Sequence, residues 1–235
     1  CSLKIKRGSI TGIIGPNGSG KTTLFNLIAG SLKPNTGKVY FNNEDITGLP
    51  SFELFSKGIL RTFQIAHEFA NLTVIENLMM VPANQSGEEL LNALFIRKKF
   101  KNEEELIKKK AYEVIEFLNL KHLANELAGN LSGGQKKLLE LGRTMMVDSK
   151  LVLLDEVGAG VNRTLLKELG TAILRLNKEK GYTFCMIEHD MDFISRMCDP
   201  IIVLSDGSVL FEGKSDEVKN NDLVIESYLG RSKNK

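Results

Sequence analysis

The feature that most constrains this chain is a glycine-rich loop near its start, GPNGSGKT at residues 15–22. It has the form G-x-x-x-x-G-K-S/T, whose glycines adopt backbone conformations that a Cβ would forbid. Successive backbone N–H groups then point inward and form a concave anion site. A strand-like run at residues 9–14 enters the loop and a helix-like run at residues 23–29 leaves it. This context favours a phosphate-binding loop over a glycine-rich turn without a ligand.

The side chains of this loop predict how a nucleoside triphosphate is held. The helix expected to open near Lys21 adds the positive end of its dipole. Lys21 is expected over the β- and γ-phosphates, and the Thr22 hydroxyl is expected to ligate Mg²⁺. The predicted nucleotide-binding residues are Gly15, Pro16, Asn17, Gly18, Ser19, Gly20, Lys21, Thr22 and Thr23.

Composition limits the classes of function open to the chain. Its 31 Lys and Arg residues nearly balance 29 Asp and Glu, so we expect no field strong enough to bind nucleic acid. No apolar run approaches the length that crosses a bilayer, and no signal peptide is evident. A cytosolic protein is therefore expected. The chain begins with Cys1 and enters the first strand almost directly, so we also expect further sequence upstream.

Hydrophobic patterns predict an α/β fold. Up to residue 64, strand and helix signals alternate, including a strand-like run at residues 37–41. The middle stretch has few strand-like runs and a clear amphipathic helix over residues 103–118. Strand-like runs return at residues 151–154, 183–187, 201–204 and 208–211. Such alternation predicts a mostly parallel sheet with helices on both faces, antiparallel edge strands and an inserted helical subdomain.

Two carboxylates follow the strand-like run at residues 151–154. Ligands of open α/β sheets sit at the carboxyl ends of strands, so we expect Asp155 near the phosphates, where it would bind Mg²⁺ through water. Glu156 points elsewhere and is predicted to act as general base on the attacking water. The alternative, an acidic pair that only caps a helix, is weak beside the phosphate loop.

A further motif, LSGGQ at residues 131–135, precedes another helix-like run. Ser132 can cap that helix. Gly133 and Gly134 let a phosphate approach the backbone N–H groups. An ordinary Ser-Gly-Gly loop would be a reasonable interpretation of this motif alone, but it is a poor one beside the other motifs.

Together these motifs resemble the nucleotide-binding subunit of ABC transporters, over essentially the whole chain. The resemblance implies a P-loop NTPase (RecA-like) core at residues 1–64 and 150–235, with a helical signature subdomain at residues 65–149. It implies an ATPase that uses ATP and Mg²⁺. Two identical or paralogous ATPase subunits would sandwich ATP between the phosphate loop of one and the signature of the other. The signature residues that act on the partner's ATP would be Leu131, Ser132, Gly133, Gly134 and Gln135.

The same resemblance assigns two further catalytic residues. Gln64 matches the family's Q-loop glutamine, whose amide oxygen would reach Mg²⁺ or the water. His189, after the strand-like run at residues 183–187, matches the switch histidine. At a strand end it would hydrogen-bond the γ-phosphate and hold Glu156 and water in place.

Finer motifs look similar to the subunit that serves importers of branched-chain amino acids and related amides. They are RTFQ at 61–64, NLTVIENL at 71–78, AGVN at 159–162, EHDM at 188–191, and the tail from 212–213 to 228–230. This implies transmembrane permease partners, an indirect link to a solute-binding protein, and a peripheral location on the cytoplasmic face of the inner membrane. The sequence does not reveal the solute, because the solute never touches this subunit.

Three positions depart from the family pattern. Val157 stands where proline is usual. Asn162 stands where the D-loop usually has aspartate, so charge-dependent cross-talk between two ATP sites is in doubt. The strand that usually carries an adenine-stacking aromatic is expected upstream of Cys1, so no residue here is assigned that role.

Three other functions remain alternatives to an importer ATPase. Within transport, the rival is an export ATPase such as the lipopolysaccharide-export type, whose tail is similar. A soluble ABC protein of translation or DNA repair usually has two such domains or a long coiled coil, which this chain lacks. A nucleotide-binding regulator without turnover is disfavoured by the presence of Glu156 and His189.

Overall fold

The computed structural model of the chain describes residues 1–62, 68–82 and 97–229. Residue contacts group into two compact units. We call residues 1–64, 149–159 and 173–235 the core unit, and residues 65–148 and 160–172 the helical unit. The subdomain boundaries expected from the sequence stay a prediction.

Eight strands lie in the described residues. They are β1 (Ile10–Ile14), β2 (Tyr40–Phe41), β3 (Glu44–Asp45), β4 (Ile59–Arg61), β5 (Leu151–Asp155), β6 (Thr183–Ile187), β7 (Ile201–Ser205) and β8 (Ser208–Gly213). Six of them form one sheet in the order β4-β5-β6-β1-β7-β8. All neighbours in this sheet are parallel except β7 and β8, which are antiparallel. The mixed, mostly parallel sheet confirms the predicted fold class.

The central strands are apolar because both faces of the sheet are covered. Every residue of β1, β5 and β6 is buried, as expected for parallel strands packed on both sides. β5, β6 and β1 are adjacent and parallel. Their carboxyl ends therefore meet at one edge of the sheet, where residues 15–22, Glu156 and His189 follow directly.

The predicted strand at residues 37–41 is shorter in the structure. Only Tyr40–Phe41 pairs, with Glu44–Asp45, in a separate two-stranded antiparallel sheet. Val39 instead bonds the following loop: its N–H donates to Thr47 Oγ1 and its carbonyl accepts from the Ile46 N–H. The apolar pattern therefore overestimated this strand.

Nine α-helices lie in the described residues. They are α1 (Lys21–Ile28), α2 (Ser51–Ser56), α3 (Val74–Met79), α4 (Arg97–Phe117), α5 (Gly133–Met145), α6 (Arg163–Lys180), α7 (Met191–Met197), α8 (Ser215–Lys219) and α9 (Asp222–Leu229). Two short 3₁₀ helices, Lys121–Leu123 and Ala128–Asn130, lie between α4 and α5. The predicted amphipathic helix at residues 103–118 corresponds to α4.

Helices α3, α4 and α5 build the interior of the helical unit. Gly142 of α5 lies where an added Cβ would stand 2.8 Å from Leu118 Cδ1, 3.1 Å from Val114 Cγ1 and 3.3 Å from Leu78 Cδ2. A glycine here lets the three helices approach closely, and their buried apolar side chains fill the space between them. This packing provides the base on which α5 presents its N-terminus.

No helix among the described residues is long and apolar enough to cross a membrane.

Candidate active site

The phosphate loop joins β1 to α1, as the sequence predicts. Gly15 lies so close to β7 that an added Cβ would stand 2.2 Å from the Leu204 carbonyl oxygen. Gly20, the N-cap of α1, has φ 98°, a left-handed conformation that favours glycine. The Gly207 N–H donates to the Ser19 carbonyl at 3.1 Å, which ties the loop to the β7–β8 turn. The loop conformation thus depends on glycine and on neighbouring backbone.

The start of α1 has the geometry of an anion site. Among the described residues no side chain caps this helix. The first main-chain bond of the helix is donated by Leu24 to the Gly20 carbonyl. Amides of the first helical turn have no partner within their own helix, so an anion can accept from those of Lys21, Thr22 and Thr23.

Lys21 is folded back onto the loop. Its Nζ donates to the carbonyl oxygens of Gly15 at 2.8 Å and Pro16 at 3.0 Å, and the residue is only 6% exposed. Burial lowers the pKa of Lys21, while the nearby Glu156 carboxylate opposes that shift. The ammonium group is therefore held at the loop, close enough to Glu156 to feel its charge.

Asp155, the last residue of β5, is buried and paired. Its Oδ2 lies 2.6 Å from Arg61 Nη2, and both side chains are largely shielded from solvent. The same guanidinium donates from Nη1 to Asn26 Oδ1 on α1 and lies 5.9 Å above the Phe25 ring. Arg61 thus links β4, β5 and α1 at the predicted metal ligand.

Glu156 leaves the strand in a different direction from Asp155. It has φ 50°, a left-handed conformation that is costly for a residue with a Cβ. Its N–H donates to the Ile187 carbonyl at 2.9 Å, and its carbonyl accepts from Ala159 at 3.1 Å. The reversal turns the Glu156 side chain, which is partly exposed, toward His189.

His189 and Glu156 form a direct contact. The distance between His189 Nε2 and Glu156 Oε1 is 3.0 Å, within hydrogen-bond range. The two residues follow adjacent parallel strands, β6 and β5. The structure therefore brings together the two side chains that the sequence predicted for hydrolysis.

Helix α5 begins at the LSGGQ motif. Ser132 is its N-cap: its Oγ accepts from the Gln135 N–H at 3.4 Å, and the Gln135 side chain accepts from the Ser132 N–H at 2.9 Å. This reciprocal capping box confirms that Ser132 caps the following helix. Leu131 is buried beneath the exposed cap.

The two glycines of that motif have different surroundings. An added Cβ at Gly133 would meet nothing closer than the Gly160 carbonyl oxygen at 3.8 Å. At Gly134 it would stand 2.4 Å from Leu165 Cδ1 on α6. Gly134 is thus required for packing within the helical unit, whereas Gly133 leaves open backbone.

Asn162 serves as a helix cap. Its Oδ1 accepts from the Leu165 N–H at 2.9 Å, and its carbonyl accepts from Leu166 at 2.9 Å. Asparagine and aspartate are comparable N-caps. The departure from the family's aspartate therefore preserves the local structure of α6.

Gln64, the predicted Q-loop residue, lies outside the described residues. Two residues that the sequence did not single out also belong to this constellation. Arg61 binds Asp155 as described above. Glu188 accepts from the Gly158 N–H at 2.7 Å and from the His189 N–H at 3.3 Å. The position of Glu188, between the strand-like run at residues 183–187 and the predicted His189, was a signal that could have found it, whereas the pairing of Arg61 with Asp155 spans 94 positions and had no local signal.

Comparisons with known proteins agree with this geometry. The family model described as ABC transporter matches residues 1–159. A protein of Methanocaldococcus jannaschii named "Probable branched-chain amino acid transport ATP-binding protein LivG" is 44% identical over 233 residues, 97% of this chain and 90% of that protein.

Solved structures give the same result. An ATP-binding cassette of an ABC transporter in its ADP conformation matches with a TM-score of 0.82 and 41% identity, covering 98% of this chain and 91% of that one. A dimeric cassette in a post-hydrolysis state, bound to ADP and Pi, matches with a TM-score of 0.72 and 28% identity, covering 91% and 88%. The chain therefore belongs to the ABC transporter family, and it is an ATP-binding subunit with ATPase activity.

Proposed function

We propose that this chain is the ATP-hydrolysing motor of an importer for branched-chain amino acids or related small polar solutes. The relative from Methanocaldococcus jannaschii, named for branched-chain amino acid transport, supports this substrate class because the match covers 97% of the chain. The finer motifs at residues 61–64, 71–78 and 188–191, which resemble those of this subfamily, are consistent with it.

The observation that carries the catalytic assignment is the edge formed by β5, β6 and β1. Their carboxyl ends lead to Glu156, to His189 and to the phosphate loop, respectively. Ligands of open α/β sheets bind at such an edge. The Glu156–His189 hydrogen bond, together with the effect of the Glu156 charge on the pKa of Lys21, supports the proposal that the three groups act on one substrate.

Each group has a role that follows from its geometry. The loop amides and Lys21 bind the triphosphate, Lys21 by exchanging its carbonyl contacts for phosphate oxygens. Glu156 accepts the proton of the attacking water. His189, hydrogen-bonded to Glu156 Oε1, orients that carboxylate and contacts the γ-phosphate.

Mg²⁺ would be held by the Thr22 hydroxyl, Gln64 and, through water, Asp155. A hydroxyl on α1 and a carboxylate at the end of β5 suit an ion that takes one or two protein oxygens together with phosphates. When bound, the ion would neutralise charge on the phosphate oxygens. Asp155 is paired with Arg61 in this structure, so its carboxylate already has a cationic partner.

A second ATPase subunit would complete the site. The dimeric cassette that matches this chain supports such pairing. The open backbone at Gly133, at the exposed start of α5, is suited to the γ-phosphate of the partner's ATP. This helix start would be supported by Leu131, Ser132, Gly134 and Gln135. The D-loop residue Asn162 would line the interface between the two subunits.

The remaining partners follow from membership of an import system. Permease subunits would receive the motion through the Gln64 loop and the helical unit, and a solute-binding protein would act through them. The ATPase would then be peripheral, on the cytoplasmic face of the inner membrane. Co-purification of the chain with its membrane subunits, followed by solute-stimulated ATPase assays, tests this. Copurification with a lipopolysaccharide-export permease instead would overturn the importer assignment.

Glu156→Gln tests the catalytic assignment. The amide keeps the shape of the side chain but cannot accept the proton, so kcat should fall by about two to four orders of magnitude. ATP binding should persist and ATP-bound dimers should accumulate, as measured by nucleotide titration and size-exclusion chromatography. Near-normal turnover in this variant would remove Glu156 from its proposed role.

A further inference from the structure

Glu188 is a buried carboxylate to which neither the family motifs nor the proposed mechanism assigns a role. The residue is only 6% exposed and lies between β6 and His189. Burial raises the pKa of Glu188, while N–H donation from Gly158 and His189 opposes the shift. A carboxylate is costly to bury unless its oxygens are hydrogen-bonded, so these contacts explain how it is accommodated.

The two oxygens of Glu188 contact two different loops. Oε1 accepts from the Gly158 N–H at 2.7 Å, in the turn that begins at Glu156. Oε2 accepts from the N–H of His189 at 3.3 Å. The side chain therefore joins the backbones that carry the two halves of the Glu156–His189 pair.

The turn at Glu156 requires such support. Glu156 has φ 50°, a strained conformation that persists only where the surroundings hold it. Bonds from Glu156 to Ile187 and from Ala159 to Glu156 fix the start of the turn. The bond from Gly158 to Glu188 fixes its middle.

We propose that Glu188 is a positioning residue for ATP hydrolysis, whose carboxylate clamps the Glu156 turn to the backbone of His189 and so sets the Glu156–His189 hydrogen bond. This inference rests on the proposed roles of Glu156 and His189. The role of Glu188 is indirect and passes through the backbones of Gly158 and His189. Glu188 acts by keeping the side chains of Glu156 and His189 in the relative position that their hydrogen bond requires. A small displacement of such groups lowers the rate of catalysis considerably.

The test compares Glu188→Gln and Glu188→Ala with Glu212→Gln, which removes the same charge from an exposed position on β8. Glutamine retains one acceptor oxygen but presents an amide NH₂ to the other N–H, so one of the two bonds is lost. Alanine loses both. We expect kcat to fall by about 10-fold in Glu188→Gln and toward about 100-fold in Glu188→Ala, with KM for ATP nearly unchanged.

A second readout does not depend on turnover. In ¹H–¹⁵N spectra of the nucleotide-free protein, the amide resonances of Gly158 and His189 should shift in both Glu188 variants and stay in place in Glu212→Gln. The Gly158 shift reports loss of the hydrogen bond to the carboxylate, because Gly158 is 30 positions away, whereas the His189 amide adjoins the substituted residue and shifts in any case. A role in stability alone would lower the unfolding temperature while leaving kcat per folded molecule unchanged, and that result would overturn the proposal.

Assaying Glu156→Gln alongside the Glu188 variants distinguishes failure of the proposed Glu188 clamp from failure of the proposed general base. If Glu156→Gln loses turnover while both Glu188 variants retain wild-type kcat, the clamp is wrong and the proposed function stands. If Glu156→Gln retains turnover, the proposed general base is wrong, and the catalytic role of the clamp falls with it.

Discussion

The starts of α1 and α5 are both glycine-rich helix N-termini, yet their hydrogen bonding differs. Among the described residues no side chain caps α1, and its N-cap is Gly20. At α5 the Ser132–Gln135 capping box satisfies the N–H groups of Ser132 and Gln135 and leaves those of Gly133 and Gly134 without a partner in their own helix. α1 carries Lys21 as its first residue, buried and bound to its own loop, whereas the first lysine of α5, Lys136, is the fourth residue of its helix and pairs with Glu68.

This difference distinguishes a site that binds by itself from one that completes another site. An uncapped helix start with a buried lysine offers both free amides and a charge to phosphate. A capped start whose lysines lie further along the helix keeps its shape without a ligand and contributes mainly exposed backbone. Substitutions at the start of α1 should therefore weaken nucleotide binding by the monomer. Substitutions at the start of α5 should instead reduce turnover, which requires the dimer.

Among the substitutions at these two helices, Ser132→Arg should have the largest effect. It should reduce turnover without changing nucleotide binding by the monomer. The long cationic side chain would occupy the open backbone at the start of α5 and obstruct dimer closure, so kcat should fall by about 100-fold or more. Nucleotide affinity of the isolated monomer should stay near the wild-type value in a titration. Ser132→Ala is the matched control, because it removes the cap at a cost of about 1 kcal/mol without adding bulk or charge. A collapse of monomer affinity in Ser132→Arg would contradict the shared-site arrangement.

Lys21→Ala should affect the monomer itself. The substitution removes a charge-assisted contact to phosphate worth roughly 1.5–3 kcal/mol, or about 10- to 100-fold in ATP affinity. Isothermal titration of the monomer measures this, with Lys33→Ala as the control, because Lys33 is an exposed lysine of the same unit. If Lys21→Ala and Lys33→Ala bind ATP with equal affinity, Lys21 does not contribute to nucleotide binding by the monomer. The two helix starts would then not differ in this property.

The smallest predicted effects concern the stability of variants at Gly133 and Gly134, the two glycines of the LSGGQ motif. Gly134→Ala would place a Cβ 2.4 Å from Leu165 Cδ1, and such overpacking should lower the free energy of unfolding by about 1–3 kcal/mol. Gly133→Ala meets nothing closer than 3.8 Å and should leave stability nearly unchanged. Thermal or urea unfolding of the two variants provides the comparison. Equal destabilisation would mean that the start of α5 tolerates no side chain at either position.

Local patterns predicted much of the fold and of the site. α1 begins at Lys21 as expected, β6 has the predicted bounds, and Ser132 caps α5. These features depend on residues close in sequence, whose chemistry is visible in a short window. β4 was missed because three residues, Ile59–Arg61, form too short a pattern to distinguish from a loop.

The sequence by itself determined the phosphate loop, the signature helix and the acidic strand end, because glycine conformation, capping and hydrophobic periodicity act over a few residues. Only the tertiary structure decided which of these residues meet. Arg61 and Asp155 are 94 positions apart, and Glu156 and His189 are 33 apart. Both contacts follow from the order and register of β4, β5 and β6. Strand order is set by packing of the whole sheet, so no local pattern could specify these pairs.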